Sequence, residues 1–576
     1  MNPVFQLSGC LALFLGLVFG SGVPIVASSR LTAPEKLCVG AAAGVVALYL
    51  FAICDYWLDL PRAAVVVPII AALALLLIRR RESWAVLCDP DARRLLGAYL
   101  IIAAWTLGFL ALVRSYSGGG WALDWIDHYS RAQLFLHHHP AHSALYGGDS
   151  LPTRPPLANA ATSAFLQVTG GDFAYFQIFT SLLNSLVFLP MWLFAGRLGR
   201  GAARAQAVLT VLYLCNPSIL ENSTFAWTKL ITAFFVLIGL FLFLPAPDGF
   251  SRRRLSAAFL CLGAAVLTHY SAGPYVVALA VAYLWWRRAE LRQARFWRDT
   301  VLCALPAAIL LVTWFAWSLH VFGPAGTFFS NTSVTDTTAR SVGSFTRENS
   351  INLVNTVVPH PLRKMNPALI DQQSRLGHFR DYFFQIYQVN LLFMFGCAGG
   401  PALLFLLWRR WHRPAPAGPF PRTFWLWFVG CTVVLGAAAY GGIDQWGVAH
   451  LCLQGLLGLG LAFLAAQFDD LPRWGRIFVC LGLTADFILG IAIHFHLQNH
   501  FFSPIAFLEN SGQRVLEFHS TATWVNLSVK IHHGYEFVGD WPIARPLLIG
   551  LLVCLFTLAI ARLCRELAPG RPSVSG

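Results

Sequence analysis

A short polar stretch reading LDWIDHYSR stands out in a chain that is otherwise largely apolar. It carries two carboxylates, Asp124 and Asp127, together with His128, Tyr129 and Arg131. Carboxylates and imidazoles are common general acids and bases, and a guanidinium binds anions. On a helix the two aspartates would share one face, with His128 one turn after Asp124. The stretch is therefore a candidate for proton-transfer chemistry.

A structural role fits the same aspartates. Aspartate is a preferred N-cap residue, and acidic side chains in a first turn interact favourably with the helix dipole. Asp124 would then cap an amphipathic helix that continues through YSRAQLFLHH along a membrane surface. A capping aspartate can also be a catalytic base, so both roles stay open.

The composition around this stretch is that of a membrane protein. Of the 576 residues, 57% are hydrophobic and 12% are charged, and the mean hydropathy is +0.61. Since about 20 apolar residues cross a bilayer core of about 30 Å, we predict an all-α polytopic fold with about 13–15 transmembrane helices. The predicted spans lie near 3–27, 37–54, 63–78, 95–113, 174–195, 205–220, 228–244, 255–271, 274–286, 300–321, 389–408, 423–441, 447–466, 477–496 and 546–563.

Basic clusters predict how these spans are oriented. The stretches RRRESW, SRRR, RRAELRQARFWR and RRWHR fall in every second loop, and the positive-inside rule makes those loops cytoplasmic. Three long loops, 114–172, 322–388 and 497–545, then lie on the extracytoplasmic side. The net charge of +14 does not indicate nucleic acid, because the arginines are spread over these short loops.

Further ionisable side chains fall at the predicted outer ends of spans. Arg154 precedes two prolines in a stiff segment, and Lys229, one of four lysines, begins a span. Lys229 is either a phosphate ligand or an interfacial lysine that extends toward water. His269 and Tyr270 lie where two short crossings meet, so we expect that junction to be buried in protein or in a wet cavity. Glu221 lies between two spans.

No metal or other cofactor is predicted. The run HHHPAH at 137–142 contains good metal ligands, but an exposed histidine run binds weakly without a shell of residues to order it. A divalent metal stays open as an alternative. The thirteen cysteines show neither CxxC nor zinc-ligand spacing and are interpreted as packing residues.

The pattern resembles the GT-C superfamily of integral membrane glycosyltransferases, in particular the bacterial branch of protein O-mannosyltransferases and lipid A sugar transferases. That branch often carries an Asp-Glu pair, a tyrosine a few positions on, a glycine and then HPPL. The matching residues here are Asp124, Tyr129, Gly147 with Gly148, and RPPL from Arg154. Two features depart from the pattern: DW replaces Asp-Glu, and four spans rather than one precede the loop.

The resemblance implies an organisation into four parts. Residues 1–113 would form N-terminal transmembrane helices, and residues 114–321 a GT-C-like catalytic core that includes the 114–172 loop. The 322–388 loop and C-terminal helices at 389–576, with the 497–545 loop, would follow.

The resemblance also implies inverting transfer of a sugar from a polyprenyl-phosphate donor to an extracytoplasmic lipid, glycan or protein. The general base would be Asp124 or, as second choice, Asp127. The donor phosphate would be held by Arg154, Lys229, Arg131 and His269. The sugar would be oriented by His128, Tyr129, Glu221 and Tyr270. The bilayer would be that of a bacterial inner membrane, with the site facing the periplasm, and no nucleic acid would take part.

Two other functions stay open. A transporter or flippase of lipid-linked glycans should carry charged residues within its spans and internal repeats, and Asp486 is one such charge. A polymerase or ligase of the O-antigen type would use arginines of a late outer loop, and the 322–388 loop contains several.

Overall fold

The computed structural model describes residues 2–114, 116, 124–143, 145, 150–199, 201–244, 251–330, 341–363, 375–412, 422–443, 449–492 and 535–565. Within these ranges the regular elements are helices, and none is a strand. The glycines Gly147 and Gly148, and residues 497–534 of the third predicted loop, lie outside the described residues.

Several helices are long and apolar enough to cross a membrane. Among the described residues these are Pro3–Val26, Ala33–Leu58, Pro90–Leu110, Phe173–Leu198, Ala294–Phe328 and Arg422–Ala439. Two sharply bent pairs, Arg62–Ile78 with Arg80–Cys88 and Pro217–Thr224 with Lys229–Phe243, raise the number from 6 to 8 if each pair is one crossing. Ala294–Phe328 leaves Val301, Ile309 and Val312 largely uncovered by protein, as a lipid-facing helix does. The predicted all-α membrane fold is confirmed.

The remaining α-helices of the described residues fall outside this group. They are Asp124–Leu136, Leu157–Thr169, Ala202–Cys215, Arg252–Thr268, Gly273–Trp286, Val342–Val357, Arg375–Val389, Gly399–His412, Ala449–Ala466, Arg473–Gly490 and Arg545–Arg565. A helix overlaps each predicted span, but several, such as the 14-residue Gly273–Trp286, are short for a full crossing. The helix Gly399–His412 begins later than its predicted span, because the Asn390 side chain accepts the Leu392 and Phe393 N–H groups and turns the chain.

Polar contacts distinguish two ends of the helical bundle. At one end Arg254 lies 3.0 Å from Glu35, close to the first residues of both Arg252–Thr268 and Ala33–Leu58. At the other end of Ala33–Leu58, Asp55 lies 2.9 Å from His138 and accepts a hydrogen bond from Gln167 at 2.5 Å. These contacts place two helices, Asp124–Leu136 and Leu157–Thr169, at the end of the bundle opposite Arg254.

The junction between the two short helices also lies at this second end. Arg252–Thr268 starts beside Glu35 and ends at His269, which is 2% exposed. Ser271 and Ala272, which follow, are buried as well. The buried junction agrees with the expectation drawn from the short interval.

Candidate active site

From Asp124 onward the polar stretch forms the first turns of a helix, Asp124–Leu136, which we call the site helix. Its apolar side packs Trp125 against Phe173, with ring centroids 4.4 Å apart. Asp127, His128 and Arg131 are buried, whereas the side chain of Asp124 is 41% exposed. The two aspartates therefore occupy different environments although they lie one turn apart.

Asp127 lies between two arginines. Its Oδ1 accepts a hydrogen bond from Arg131 Nε at 3.0 Å, and its Oδ2 lies 2.6 Å from Arg154 Nε. Burial of Asp127 raises the pKa of its carboxyl, but the charges of Arg131 and Arg154 outweigh burial, so the net pKa lies below the ordinary value. Asp127 is ionised and holds both guanidinium groups.

Arg131 ties the site helix to the segment before Arg154. It donates to the Leu151 carbonyl at 2.5 Å and to Thr153 Oγ1 at 2.7 Å. The following residues, Arg154 to Pro156, lead into the helix Leu157–Thr169. The position of Arg154 is thus fixed by Asp127 directly and by Arg131 through the backbone.

A cavity of about 160 Å³ opens beside the exposed side of the site helix. Its lining consists of Asp124, His128, Arg154, Trp227, Thr228, Lys229, His269 and Tyr270. Four separate parts of the sequence meet here: the site helix, the RPPL segment, the bend before Lys229 and the junction at His269. Among the described residues no group of three or more His, Cys, Asp or Glu side chains could hold a metal ion.

Asp124 is the carboxylate that faces this cavity. Its Oδ2 accepts a hydrogen bond from the indole Nε1 of Trp227 at 3.2 Å, and its Oδ1 lies 3.6 Å from Arg154 Nη2. Both contacts are longer than those of Asp127, and the side chain keeps access to the cavity. This arrangement suits a group that must meet a substrate.

Lys229 reaches the cavity from a sharp bend between two helices. Pro217–Thr224 and Lys229–Phe243 meet at 114°, and Ala226 in the bend has a left-handed φ of 62°. A left-handed conformation is costly for alanine, so it persists only where surrounding contacts enforce it. The Lys229 ammonium lies 4.3 Å from the centroid of the Trp227 ring.

Asn184 holds this bend from the helix Phe173–Ser185. Its amide donates to the carbonyls of Asn222 at 3.1 Å and Trp227 at 2.7 Å. Its carbonyl accepts the Ile231 N–H at 3.1 Å, at the start of the helix that begins with Lys229. One buried side chain therefore satisfies three backbone groups on both sides of the bend.

Two histidines of the cavity act in different ways. Burial of His128, helped by the charge of Arg154, lowers the pKa of its imidazole to about 3, so that this ring is neutral at physiological pH. His269 Nδ1 accepts the Ser271 N–H at 3.1 Å, which leaves Nε2 as the nitrogen that carries a proton. The cavity thus combines a neutral imidazole with a second imidazole that presents an N–H donor.

The structure brings most of the predicted residues into the cavity and leaves four outside it. Asp127 and Arg131 lie behind Arg154, and Tyr129 donates to the Gly171 carbonyl at 2.7 Å. Glu221 accepts a hydrogen bond from Gln388, in a buried contact between helices. The cavity residues that the prediction omitted are Trp227 and Thr228, which directly precede Lys229. Asn184 was also omitted, although an asparagine inside an apolar span is a usable signal.

No protein family model and no curated protein matches the chain. Among solved structures, it is similar to ArnT from Cupriavidus metallidurans bound to undecaprenyl phosphate, at 17% identity and a TM-score of 0.44, over 84% of this chain and 77% of that one. The apo structure of the same protein matches at 16% identity and a TM-score of 0.45, over 82% and 76%. At such values the likeness says nothing about chemistry, which we infer from the cavity. What the fold and the site define is an all-helical integral membrane protein with a charged cavity at one end.

Proposed function

We propose that this chain is a GT-C-type membrane glycosyltransferase that moves a sugar from a polyprenyl-phosphate-linked donor to an extracytoplasmic acceptor, with inversion. One observation carries the proposal: a partly exposed carboxylate, Asp124, shares a small cavity with the cations of Arg154 and Lys229. The reaction needs a proton acceptor on one side of the sugar and positive charge on the other.

Asp124 is the general base of the proposed reaction. An oxygen or nitrogen atom of the acceptor attacks the anomeric carbon of the sugar, and the Asp124 carboxylate takes the proton from that atom. The bond from the anomeric carbon to the phosphate oxygen breaks, and its electron pair leaves with the phosphate. The products are the glycosylated acceptor, inverted at the anomeric carbon, and the free polyprenyl phosphate.

Arg154 and Lys229 stabilise the phosphate that leaves. The charge that develops on the departing oxygen is best stabilised by groups already in place, and both cations line the cavity. Lys229 is also the first residue of a 15-residue helix, whose N-terminal amides favour an anion. The Nε2–H of His269 adds a neutral donor.

Asp127 serves the same reaction by holding Arg154. Its carboxylate is occupied by Arg131 and Arg154 and does not line the cavity. Arg131 acts in the same supporting way. These contacts favour Asp124 over Asp127 as the base.

Sugar hydroxyl groups are bound by uncharged side chains of the cavity. Neutral His128 and the phenol of Tyr270 can each accept or donate a hydrogen bond there. Tyr129 and Glu221 have no direct part in this binding, because Tyr129 donates to the Gly171 carbonyl and Glu221 accepts from Gln388, both outside the cavity.

The cavity faces the periplasm of a bacterial inner membrane in this proposal. It lies at the end of the bundle opposite Arg254, and the positive-inside rule assigns the arginine-rich loops to the cytoplasm. A donor with a polyprenyl tail reaches such a site from the surrounding lipid. The acceptor is a lipid, glycan or protein of the cell envelope, and the sugar is a hexose or pentose.

The test measures release of polyprenyl phosphate by the purified protein in nanodiscs, with a panel of polyprenyl-phosphate sugars and an envelope lipid extract as acceptor source. We expect turnover by the wild type and loss of turnover in Asp124→Asn. Asp299→Asn is the matched control, because Asp299 pairs with Arg252 at the opposite end of the bundle. Full turnover by Asp124→Asn would rule out Asp124 as the general base. A wild type that transfers no sugar but moves a lipid-linked glycan across vesicles would be a flippase.

Orientation has its own test. His142 is exposed beyond the end of the site helix, and Arg298 is exposed near Arg252 and Asp299. Relative to the parent protein, His142→Cys should gain labelling by an impermeant maleimide in intact cells, and Arg298→Cys only after lysis. The reverse pattern would place the cavity in the cytoplasm.

A further inference from the structure

Trp227 lies between the base and the lysine of the cavity and contacts both. Its indole N–H donates to Asp124 Oδ2 at 3.2 Å, and its ring lies under the Lys229 ammonium, 4.3 Å from the centroid. Trp227 is only 4% exposed and packs against Phe225, with ring centroids 4.3 Å apart.

The backbone of Trp227 is held as firmly as its ring. It follows Ala226 with its left-handed φ of 62°, and its carbonyl accepts the Asn184 amide at 2.7 Å. The indole therefore has little freedom to move aside, and the two contacts it makes are fixed features of the cavity.

Without the indole, Asp124 and Lys229 would be opposite charges that line the same small cavity with nothing held between them. A carboxylate paired with an ammonium is a poorer base, and an ammonium paired with a carboxylate has less charge to offer a phosphate. Among the described residues, the ion pair of Asp124 is with Arg154, at 3.6 Å, and not with Lys229. Trp227 gives each of the two groups a different contact.

We propose that Trp227 is a positioning residue that keeps Asp124 and Lys229 apart, directing the carboxylate toward the acceptor with its N–H and the ammonium toward the donor phosphate with its ring face. This role rests on the proposed glycosyl transfer. One side chain therefore has two functions, one through its N–H and one through its ring face. Different substitutions of Trp227 remove them separately.

Trp227→Phe removes the N–H and keeps an aromatic face for Lys229. We expect kcat to fall about tenfold, because a base that loses its orientation loses reactive geometry, while KM for the donor stays within about twofold. Trp227→Leu removes both contacts, and we expect the donor KM to rise as well, by about fivefold.

An isosteric replacement separates this role from packing. Benzothienylalanine, in which sulfur replaces the indole N–H, keeps the size of the ring. It should reproduce the fall in kcat of Trp227→Phe, at an unchanged donor KM, in a fully folded protein. The control is Trp105→Phe, which loses an indole bond to the Leu214 carbonyl among buried helices outside the cavity. Its kcat per folded molecule and its donor KM should match the wild type.

Different outcomes would contradict the role of Trp227 and the proposed glycosyl transfer. Wild-type kcat in the benzothienylalanine protein, with Asp124→Asn inactive, would overturn the role of Trp227 and leave the transferase intact. A wild type without transfer to any acceptor overturns both. An equal drop in Trp105→Phe would make the effect one of general packing and would overturn the positioning role.

Discussion

Two groups of polar side chains, each with a carboxylate, lie within the described part of this helical protein, and they differ in how their polar atoms are used. The first is the cavity, where Asp124 keeps a side-chain exposure of 41%. The second, which we call the interhelical cluster, consists of Glu221, Asn222, Tyr387, Gln388 and Asp486, all buried. Similar residue types therefore serve opposite purposes at two places.

Hydrogen bonds connect the members of the interhelical cluster to one another and to the backbone of Cys397. Tyr387 donates to Asp486 Oδ1 at 2.9 Å, and the Cys397 N–H donates to Asp486 Oδ2 at 3.0 Å. Gln388 donates to Glu221 and accepts from Asn222 at 2.9 Å. These bonds join three helices, so the cluster acts in packing, whereas the polar groups of the cavity face space that a substrate can fill. The comparison therefore separates a carboxylate that can meet a substrate, Asp124, from carboxylates whose oxygens are used between helices.

The sharpest test of this difference is Asp124→Asn. We expect turnover to fall about 10³-fold, within the range for loss of a general base, with little change in thermal stability because the side chain is partly exposed. Polyprenyl phosphate release and the melting temperature in detergent measure the two effects. A large loss of stability with normal turnover would mean that Asp124 acts in packing, as the residues of the interhelical cluster do.

Asp486→Ala should give the opposite result. It leaves the Tyr387 hydroxyl and the Cys397 N–H without their acceptor in a buried place, which we expect to lower the free energy of unfolding by about 3 kcal/mol. Turnover per folded molecule should stay near the wild-type value. Denaturant titration of the purified protein, with activity normalised to the folded fraction, makes the comparison. Loss of turnover without loss of stability would show that the interhelical cluster takes part in the reaction.

Lys229→Gln sharpens the description of the cavity itself. Loss of one cation at the leaving phosphate should reduce kcat/KM about 30-fold, less than loss of the base. Lys36→Gln is a matched control, since Lys36 lies in the first turn of Ala33–Leu58 beside Glu35, at the opposite end of the bundle. Steady-state kinetics over donor concentration give the result. Equal effects from both lysines would point to surface charge rather than to a phosphate site.

The smallest expected effect concerns the pH dependence of stability at His128. Its pKa is about 3 when folded, against an ordinary 6.5, so between these values the unfolded chain binds a proton that the folded chain does not. Stability therefore falls as pH drops below 6.5, by up to about 1.4 kcal/mol per pH unit from this group. Asp127, whose pKa is lowered from 3.8, loses its stabilising charge only as the pH falls below about 3.8, which is lower than any pH of this test. Melting temperatures from pH 7 to 4.5 should fall less steeply in His128→Gln than in the wild type; equal slopes would mean that His128 is not held neutral.

Much of the architecture was predictable because it depends on local sequence. Apolar runs predicted helices over all the spans, and the short interval before Arg287 predicted the buried junction at His269. The motif residues Asp124, Arg154 and Lys229 were also predicted, because charged side chains stand out against apolar sequence. The predicted count of about 13–15 crossings depends on helices that are short for a full crossing. The length of such a helix does not say how deeply it lies in the bilayer.

The sequence by itself determined that the chain is helical, belongs in a membrane and carries ionisable residues where spans end, since these follow from composition, run length and charge placement. Only the tertiary structure decided which aspartate meets the cavity. Asp124 and Asp127 are three positions apart, but packing turns one toward Arg131 and Arg154 and leaves the other beside Trp227. The tertiary structure also decided that Glu221 contacts Gln388 between helices, and that Asn184 and Trp227 help to form the site. These contacts connect residues far apart in sequence, and no local pattern specifies which distant side chain will arrive.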